Sequence, residues 1–193
     1  MMYMPNSGEK IPERYSISVA TSEDAEQIRQ LVHDSWIKTM SEALEVAPEQ
    51  LEDQFKDAMT NEGLTRSQEN LANPPEGRTT LVAKDGTKVI GVCTVQQRAN
   101  EAGENELDVL HVLPGQTARG IGRSLWNTAE KSLDPVKDTF LWTTPGTKAV
   151  EVYERWGFHP VEYANEQLKT REPISRPRVK MVKKAQTSDT ISK

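Results

Sequence analysis

The sequence predicts one domain of mixed α/β class, and three features of the chain support this. The first is the stretch 107–133, where a short apolar run with β-branched residues is followed by a turn at Pro114-Gly115 and a helix with one apolar stripe. The second is Asp85-Gly86, a two-residue hairpin signal between two apolar runs. The third is a second strand-then-helix unit further along the chain. A length of 193 residues suits one domain with a real core.

The first part of the chain predicts a tail, a strand and several helices. Residues 1–14 are polar with prolines and are expected to form a loose tail. Residues 15–19 alternate apolar and polar side chains, as in a strand. Thr21 and Asp24 form a capping-box-like start to a first helix. A second helix is expected to open at Pro48. Its apolar residues, one turn apart, are Leu51, Phe55 and Met59. Gly63 is expected to interrupt this helix, and a further short helix is expected at 65–72.

The remaining elements follow from the same kinds of pattern. The hairpin strands are expected at 79–84 and 88–97, and a third strand at 106–112. After the central helix, a strand is expected at 139–144. Thr147 can cap the next helix, and Gly157 is well placed to end it. We expect a strand at 158–163 and then a polar connecting segment at 164–177. The last strand, on the sheet edge, is expected at 178–183, and a tail at 184–193.

The composition excludes several classes of protein. A net charge of −5 argues against a dedicated nucleic-acid binder. The single cysteine, Cys93, excludes an intrachain disulfide and favours a reducing compartment. No apolar run approaches the roughly 18 residues of a membrane span, and the N-terminal residues lack the apolar core of a signal peptide. We therefore expect a cytoplasmic protein without a membrane or nucleic-acid partner.

The junction between the central strand and helix has the features of an anion site. The first amides of a helix have no partner within it, and the helix dipole leaves that end partly positive. Gly120 and Gly122 carry no Cβ, so a ligand can approach the backbone closely. Arg119 and Arg123 add positive charge. A phosphate group suits such a junction.

Two familiar phosphate loops do not match this junction. A Walker A loop requires Lys-Ser/Thr where Ile121-Gly122 stand. A dinucleotide-binding fingerprint requires a third glycine where Leu125 stands. Both interpretations fail on required residues.

Two motifs instead resemble the GCN5-related N-acetyltransferase (GNAT) superfamily. The family's cofactor loop, Arg/Gln-x-x-Gly-x-Gly/Ala, corresponds to Thr117–Gly122, with Thr117 departing from the pattern. A second signature, Ala149, Tyr153 and Gly157-Phe158, follows at about the family's spacing, although Gly146 stands where the family often has Asn. The resemblance implies the GNAT fold, a mixed, mostly antiparallel twisted sheet with helices on both faces, over residues 15–183.

The resemblance also implies acetyl-CoA as co-substrate and no metal. Backbone amides of the loop would hold the diphosphate, and a backbone N–H beside a bulge in the preceding strand would polarise the thioester carbonyl. The three scattered histidines and one cysteine do not form a metal-ligand pattern. The residues expected at the cofactor are Leu110, His111, Val112, Thr117, Ala118, Arg119, Gly120, Ile121, Gly122, Arg123 and Ser124.

Three residues are candidates for proton transfer, Tyr153 and Glu106 by the same resemblance and Asp108 because it lies two residues after Glu106. Tyr153 matches the family's general acid, and a phenol stays protonated at neutral pH, so it can donate to the leaving thiolate. Glu106 and Asp108 lie on one face of their strand and are candidate bases, because an ammonium must lose a proton before it attacks. His111 is a further candidate base, which strict alternation places on the face opposite Asp108 and Leu110. A water chain without a single base is the alternative.

The acceptor is expected to be a primary amine of a small molecule or peptide. In the family, the first two helices and the segment 164–177 line the acceptor side of the site. His33 and Trp36, on the first helix, would then lie near the acceptor. The simpler expectation is that His33 is solvated and that Trp36 belongs to the core. Cys93 is expected to be a small core residue. Homodimers are common in the family. The alternatives are an inactive CoA-binding sensor or interaction module of the same fold and a nucleotide-binding protein.

Overall fold

The computed structural model describes residues 15–116 and 119–185. Within them the strands, in chain order, are β1 (Ser16–Val19), β2 (Arg78–Asp85), β3 (Lys88–Gln96), β4 (Asn105–Val112), β5 (Thr139–Thr143), β6 (His159–Gln167) and β7 (Ser175–Lys183). The α-helices of the same residues are α1 (Ala25–Leu44), α2 (Asn61–Ala72), α3 (Ile121–Ala129) and α4 (Lys148–Arg155). None of these helices is long and apolar enough to cross a membrane.

The strands form one mixed sheet in the order β1-β2-β3-β4-β5-β7-β6. Only the central pair, β4 and β5, is parallel among the described strands, and every other pair is antiparallel. This arrangement agrees with the mostly antiparallel mixed sheet that the sequence predicts.

Helices cover both faces of the sheet. On one face, α3 and α4 bury side chains such as Leu125 and Trp126 against alternate residues of the central strands, Cys93 and Leu107 among them. On the other face, α1 and α2 pack on the intervening residues, such as Val92. We call these the α3 face and the α1 face. Because side chains of a strand point alternately to the two sides, both faces of the central strands are apolar.

Several local predictions are confirmed. Asp85-Gly86 closes the β2–β3 hairpin, with Gly86 at φ 61°. Thr147 is the N-cap residue of α4, and Gly157 follows the helix with φ 89°. The amide of Phe158 donates to the carbonyl of Tyr153 at 3.0 Å, and the amide of Gly157 donates to Glu154 at 3.0 Å. These two bonds are those of a Schellman ending, which requires the left-handed conformation that glycine supplies.

The predicted helix at Pro48 is wrong. The structure has short 3₁₀ turns at Pro48–Gln50 and Glu52–Phe55, and the α-helix begins later, at Asn61. Gly63 does not interrupt a helix but lies in the first turn of α2, where its amide donates to the Thr60 hydroxyl at 3.0 Å. A Cβ on Gly63 would approach the carbonyl oxygens of Asp57 and Ala58 to about 2.5 Å. The glycine therefore serves close packing of the preceding turn.

The end of the sheet also differs from the prediction. The segment 164–177 is not a connecting loop, because β6 runs to Gln167 and β7 begins at Ser175. The last strand is not at the edge either: β7 lies between β5 and β6, and β6 forms the edge. The sequence of β6 is polar because the strand is exposed, and an exposed edge strand has the composition of a loop.

The two expected tails fall largely outside the described residues. Of the segment 184–193, the structure describes Lys184 and Ala185. Both bond the carboxylate of Asp138, at 2.8 Å each. The C-terminal segment therefore begins with ordered contacts to the loop before β5.

Candidate active site

A gap between β4 and β5 organises the candidate site. The two strands pair only at their starts, where Asn105 faces Thr139 and Glu106 faces Phe140. Beyond Glu106 they diverge, so that among the described strands one edge of each has no partner inside the sheet. We call this gap the opening. Backbone groups along it are free to bind a ligand instead of a neighbouring strand.

The closed end of the opening is held by Asn105, which the sequence analysis missed. Its side chain is buried and donates to the carbonyls of Asp134 at 2.8 Å and Lys137 at 3.3 Å, while its own oxygen accepts from the Asp134 amide at 3.3 Å. These bonds tie β4 to the loop that leads into β5. No sequence pattern marks this role, because the partners are backbone groups that come close only in the fold.

A bulge in β4 lies beside the opening. Val109 faces Thr94 and Leu107 faces Val95, so the intervening residue, Asp108, is extra on β4. As a result Leu107 and Leu110 both pack on the α3 face, although they are three residues apart. The expected bulge is therefore present, three or four residues before the strand end.

The bulge changes which residues share a face. Since Leu107 and Leu110 point to the α3 face, Glu106 and His111 both point to the α1 face. Strict alternation predicts His111 opposite Asp108 and Leu110. It does lie opposite Leu110, but because of the bulge it shares the α1 face with Glu106, which alternation would place with Leu110. Leu110, His111 and Val112 pair with β3 on one side and border the opening on the other.

The predicted phosphate loop lies at the start of α3. Gly120 is the N-cap residue with φ 74°, a left-handed conformation, and no side chain of the described residues caps the helix. The amides of Ile121, Gly122 and Arg123 form the first turn and have no hydrogen-bond partner among the described residues. A Cβ on Gly120 would meet nothing within 4 Å in the described part of the chain, so the space above these amides is open there. Thr117 and Ala118, the other predicted loop residues, lie outside the described residues.

The remaining predicted loop residues surround this first turn. Ser124 accepts a hydrogen bond from the Tyr15 hydroxyl at 3.0 Å. Arg119 donates to the side chain of Gln116 at 2.6 Å and lies 5.9 Å from the ring centre of Tyr15. Arg123 lies 5.5 Å from the ring centre of Trp156. Both guanidinium groups rest on aromatic rings at the rim of the loop, where they add positive charge.

A glycine on β3 sets the position of α3. A Cβ on Gly91 would lie 3.0 Å from Ile121 and 3.0 Å from Leu125, both fully buried in α3. The absence of a side chain at Gly91 lets the helix start approach the sheet closely. This close approach brings the open amides of the loop to the edge of the opening.

Tyr153 lies on the α3 face. Its ring packs at the edges of Trp156 and Phe158, with ring centres 5.7 and 6.0 Å away, and contacts the main core cluster. Within the described residues, its hydroxyl has no side-chain hydrogen-bond partner. Burial raises the pKa of Tyr153 above its ordinary value, and the neighbouring Cys93 adds to the shift. The phenol is therefore protonated at neutral pH and its proton is free for donation.

Glu106 lies on the α1 face at the last paired position of β4 and β5, and Asp108 is the bulge residue of β4. Arg78 donates to the Asp108 carboxylate at 2.6 Å. Glu106 has no ion pair within 4.0 Å among the described residues. Burial, and next the charge of Asp108, raise the pKa of Glu106, against the opposing effect of Arg78 and two cations of β7. A partly buried carboxylate with a raised pKa is a better proton acceptor than an exposed one.

A comparison with family models identifies the fold family. The model described as "Acetyltransferase (GNAT) domain" matches residues 40–170, which is more than half of the chain. The chain belongs to the GNAT acetyltransferase family. The cofactor loop and the Tyr153 signature, the two motifs that carry the resemblance, both lie within the matched residues.

Solved acetyltransferase structures share this fold. An acetyltransferase from Thermus thermophilus is 18% identical, with TM-score 0.61, covering 88% of this chain and 96% of that chain. The PaiA N-acetyltransferase from Thermoplasma acidophilum, solved in complex with coenzyme A, is 22% identical, with TM-score 0.61 and coverages of 88% and 98%. A GCN5-related N-acetyltransferase from Rhodopseudomonas palustris is 16% identical, with TM-score 0.66 and coverages of 92% and 99%. A search of curated protein sequences gave no match.

His111 of this GNAT domain is a packed residue on the α1 face. Its Nδ1 lies 2.6 Å from the hydroxyl of Ser35 in α1, and burial lowers the pKa of His111 to about 4. The imidazole is neutral at pH 7 and a weak base. Glu106 is therefore the stronger of the two candidates for accepting the proton of an ammonium group.

Two other residues named from the sequence have structural roles. Cys93 is fully buried, and burial raises the pKa of its thiol to about 12, so it is an unreactive core residue as predicted. His33 is half-buried at the surface: its side chain is 15% exposed and lies 2.9 Å from Asp34 and 2.9 Å from Glu52. Although burial opposes it, these carboxylates raise the pKa of His33. Among the described residues, no group of three or more His, Cys, Asp or Glu is placed to hold a metal ion.

Proposed function

We propose that this GNAT domain is an acetyl-CoA-dependent N-acetyltransferase that transfers the acetyl group directly to a primary amine of a small molecule or peptide. One pair of placements supports the proposal: Tyr153 packs on the α3 face beside Cys93 of β3, and Glu106 lies on the α1 face where the paired part of β4 and β5 ends. In the proposed reaction the acid therefore acts from one face of the sheet and the base from the other.

The loop at the start of α3 suits the diphosphate of the co-substrate. The first-turn amides of Ile121, Gly122 and Arg123 can donate to phosphate oxygens, and Arg119 and Arg123 add charge at the rim. Gly120 leaves room for close approach. A structural relative solved with coenzyme A supports this choice of ligand. When bound, the thioester supplies the activated acetyl group.

The residues around the opening then have separate tasks. Glu106 accepts the proton that the ammonium of the acceptor must lose, directly or through water. Backbone N–H groups of β4 beyond the bulge stabilise the negative charge that develops on the carbonyl oxygen. As the amine nitrogen forms a bond to the carbonyl carbon and the carbon–sulfur bond breaks, Tyr153 donates its proton to the leaving thiolate. The products are an amide and a free CoA thiol.

The proposal is tested by thiol release. The protein is incubated with acetyl-CoA and a panel of primary amines, and free CoA thiol is measured together with the mass of the acetylated product. We expect release that depends on both the protein and an amine. Binding of CoA without release for any amine would favour the inactive CoA-binding module. Stabilisation of the fold by ATP or NAD but not by CoA would favour a nucleotide-binding protein.

A further inference from the structure

A row of cations lies on the α1 face beside Glu106. Arg176, Arg178 and Lys180 alternate along β7, and their neighbours Val179 and Met181 point to the α3 face. The three cations therefore share a face with Glu106, and the charges of Arg178 and Lys180 act on the Glu106 carboxylate. We call these three residues the cation row.

Aromatic rings support the cation row. The guanidinium of Arg178 lies 4.7 Å from the ring centre of Trp142 in β5, and that of Arg176 lies 5.8 Å from the ring centre of Trp36 in α1. Stacking on a ring restricts a long side chain and leaves the edge of the guanidinium available for a ligand. The two arginines are thus held in place before any ligand binds.

The arginines have more donors than partners. Arg176 donates to one oxygen of Glu166, whereas Nη1 of Arg178 is 3.7 Å from the other oxygen, beyond hydrogen-bond distance. Within residues 15–116 and 119–185, Nε of Arg176 and Nε of Arg178 are buried without an acceptor. Burial, and next the charge of Arg178, oppose protonation of Arg176 and lower its pKa. The Glu166 carboxylate is therefore shared by two partly buried cations, Arg176 and Arg178, and a further anion would stabilise both.

The far end of this region is closed. Leu168 and Ile174, at the two ends of the β6–β7 loop, pack against α1 side chains such as Ile37. The amide of Lys169 donates to Gln54 at 2.7 Å, which ties the same loop to the 3₁₀ turn after α1. A ligand that extends from Glu106 along the cation row meets this wall beyond Arg176.

We infer that the acceptor is a small amino acid-like molecule, whose carboxylate binds Arg178 and Arg176 while its amine lies at Glu106. This inference rests on the proposed function and names the substrate class for that site. A carboxylate is planar and can accept two parallel bonds from a guanidinium edge, which suits arginines stacked on flat rings. Its single charge suits a region that already contains Glu104 and Glu166 beside the cation row. The wall formed by the β6–β7 loop favours a short molecule over a continuing peptide chain.

The test compares acceptors that differ only in the carboxylate. Initial rates of CoA thiol release are measured with L-alanine and ethylamine, L-phenylalanine and 2-phenylethylamine, and L-lysine and cadaverine. In at least one pair we expect kcat/KM to be about 10- to 100-fold higher for the amino acid, because a hydrogen-bonded ion pair at a partly buried site is lost with the decarboxylated partner.

The variant Arg178→Gln identifies the residue responsible. It should raise KM for the preferred amino acid about 10- to 100-fold relative to KM for the decarboxylated partner, and Arg178→Lys should partly restore this difference. Because both amines are compared in the same variant, the effect of the Arg178 charge on Glu106 is common to the two values. Arg171→Gln is the matched control, because Arg171 is an exposed cation in the same β6–β7 loop and stacks on no ring of the described residues. It should leave both KM values unchanged, as it removes the same net charge without the stacked donor.

The outcomes separate the two proposals. Equal or faster release with every decarboxylated amine would overturn the inference and leave the N-acetyltransferase function standing. An equal rise of KM in Arg171→Gln would also overturn it, because general electrostatics would then explain the effect. Absence of release with all six compounds, while another amine of the wider panel supports release, would overturn the inference alone; absence of release with every amine of that panel would overturn both. If Arg178→Gln fails to fold, the comparison of acceptors in the unmodified protein decides alone.

Discussion

Replacement of Tyr153 by Phe separates the chemical role of this residue from its role in packing. The ring contacts Trp156 and Phe158 through its edges and faces, and Phe keeps all of these contacts. The hydroxyl has no side-chain hydrogen-bond partner within the described residues, so its removal leaves no buried side chain there unpaired. We therefore expect the free energy of unfolding to change by less than about 0.5 kcal/mol.

The same change should strongly reduce the rate. Without the phenol proton, the thiolate must leave unprotonated or take a proton from water, and loss of a positioned acid costs about 10²- to 10⁴-fold. We expect this loss in kcat, measured by CoA thiol release at saturating acetyl-CoA, with little change in the affinity for CoA. Because the pKa of Tyr153 is raised, the unmodified enzyme should show no loss of rate between pH 7 and 9 from ionisation of this group.

A second tyrosine offers a matched control. Tyr163 on β6 is 71% exposed and lies away from the opening, so Tyr163→Phe removes the same hydroxyl without affecting the site. Its kcat should equal that of the unmodified protein. If Tyr153→Phe retained more than about a third of the activity while its thermal unfolding was unchanged, the assignment of Tyr153 as general acid would be wrong.

Three further predictions follow from the loop, the base and the core. Gly120→Glu should abolish CoA binding, measured by calorimetry. Gly86→Glu is the control and should bind CoA normally, because it imposes a similar positive-φ strain of about 1 to 2 kcal/mol in an equally open turn. Equal CoA binding by the two variants would refute the loop assignment. Asp108→Asn should move the acid limb of the kcat/KM pH profile to lower pH. The charge of Asp108 raises the pKa of Glu106, and Glu106 acts as a base only when it is deprotonated. An unchanged acid limb would exclude Glu106 as the titrating group. Leu125→Ala should cost about 2 to 5 kcal/mol in urea unfolding, since this side chain is fully buried; a cost below about 1 kcal/mol would contradict the described core.

Local sequence patterns were sufficient for most strands, for the capped helix before Gly157 and for the start of α3 at Gly120. These features depend on interactions between residues close in the chain, such as the Schellman bonds around Tyr153 and the bare backbone at Gly120. The same patterns failed at Gly63 and at the polar strand β6. At Gly63 the cause is close packing against the turn at Asp57 and Ala58, which no periodicity marks, and at β6 it is pairing with β7 at the exposed edge of the sheet.

The arrangement around the opening depended on pairing between distant segments. Alternation along β4 suggested that His111 and Glu106 lie on opposite faces, but one extra residue at Asp108 brings them to the same face. No periodicity reveals such a bulge, because it is defined by the partner strand. Likewise, Arg178 comes beside Glu106 only because the last strand inserts between β5 and β6. The chemistry of the individual residues is encoded locally, whereas the order of strands across the sheet decides which of them meet.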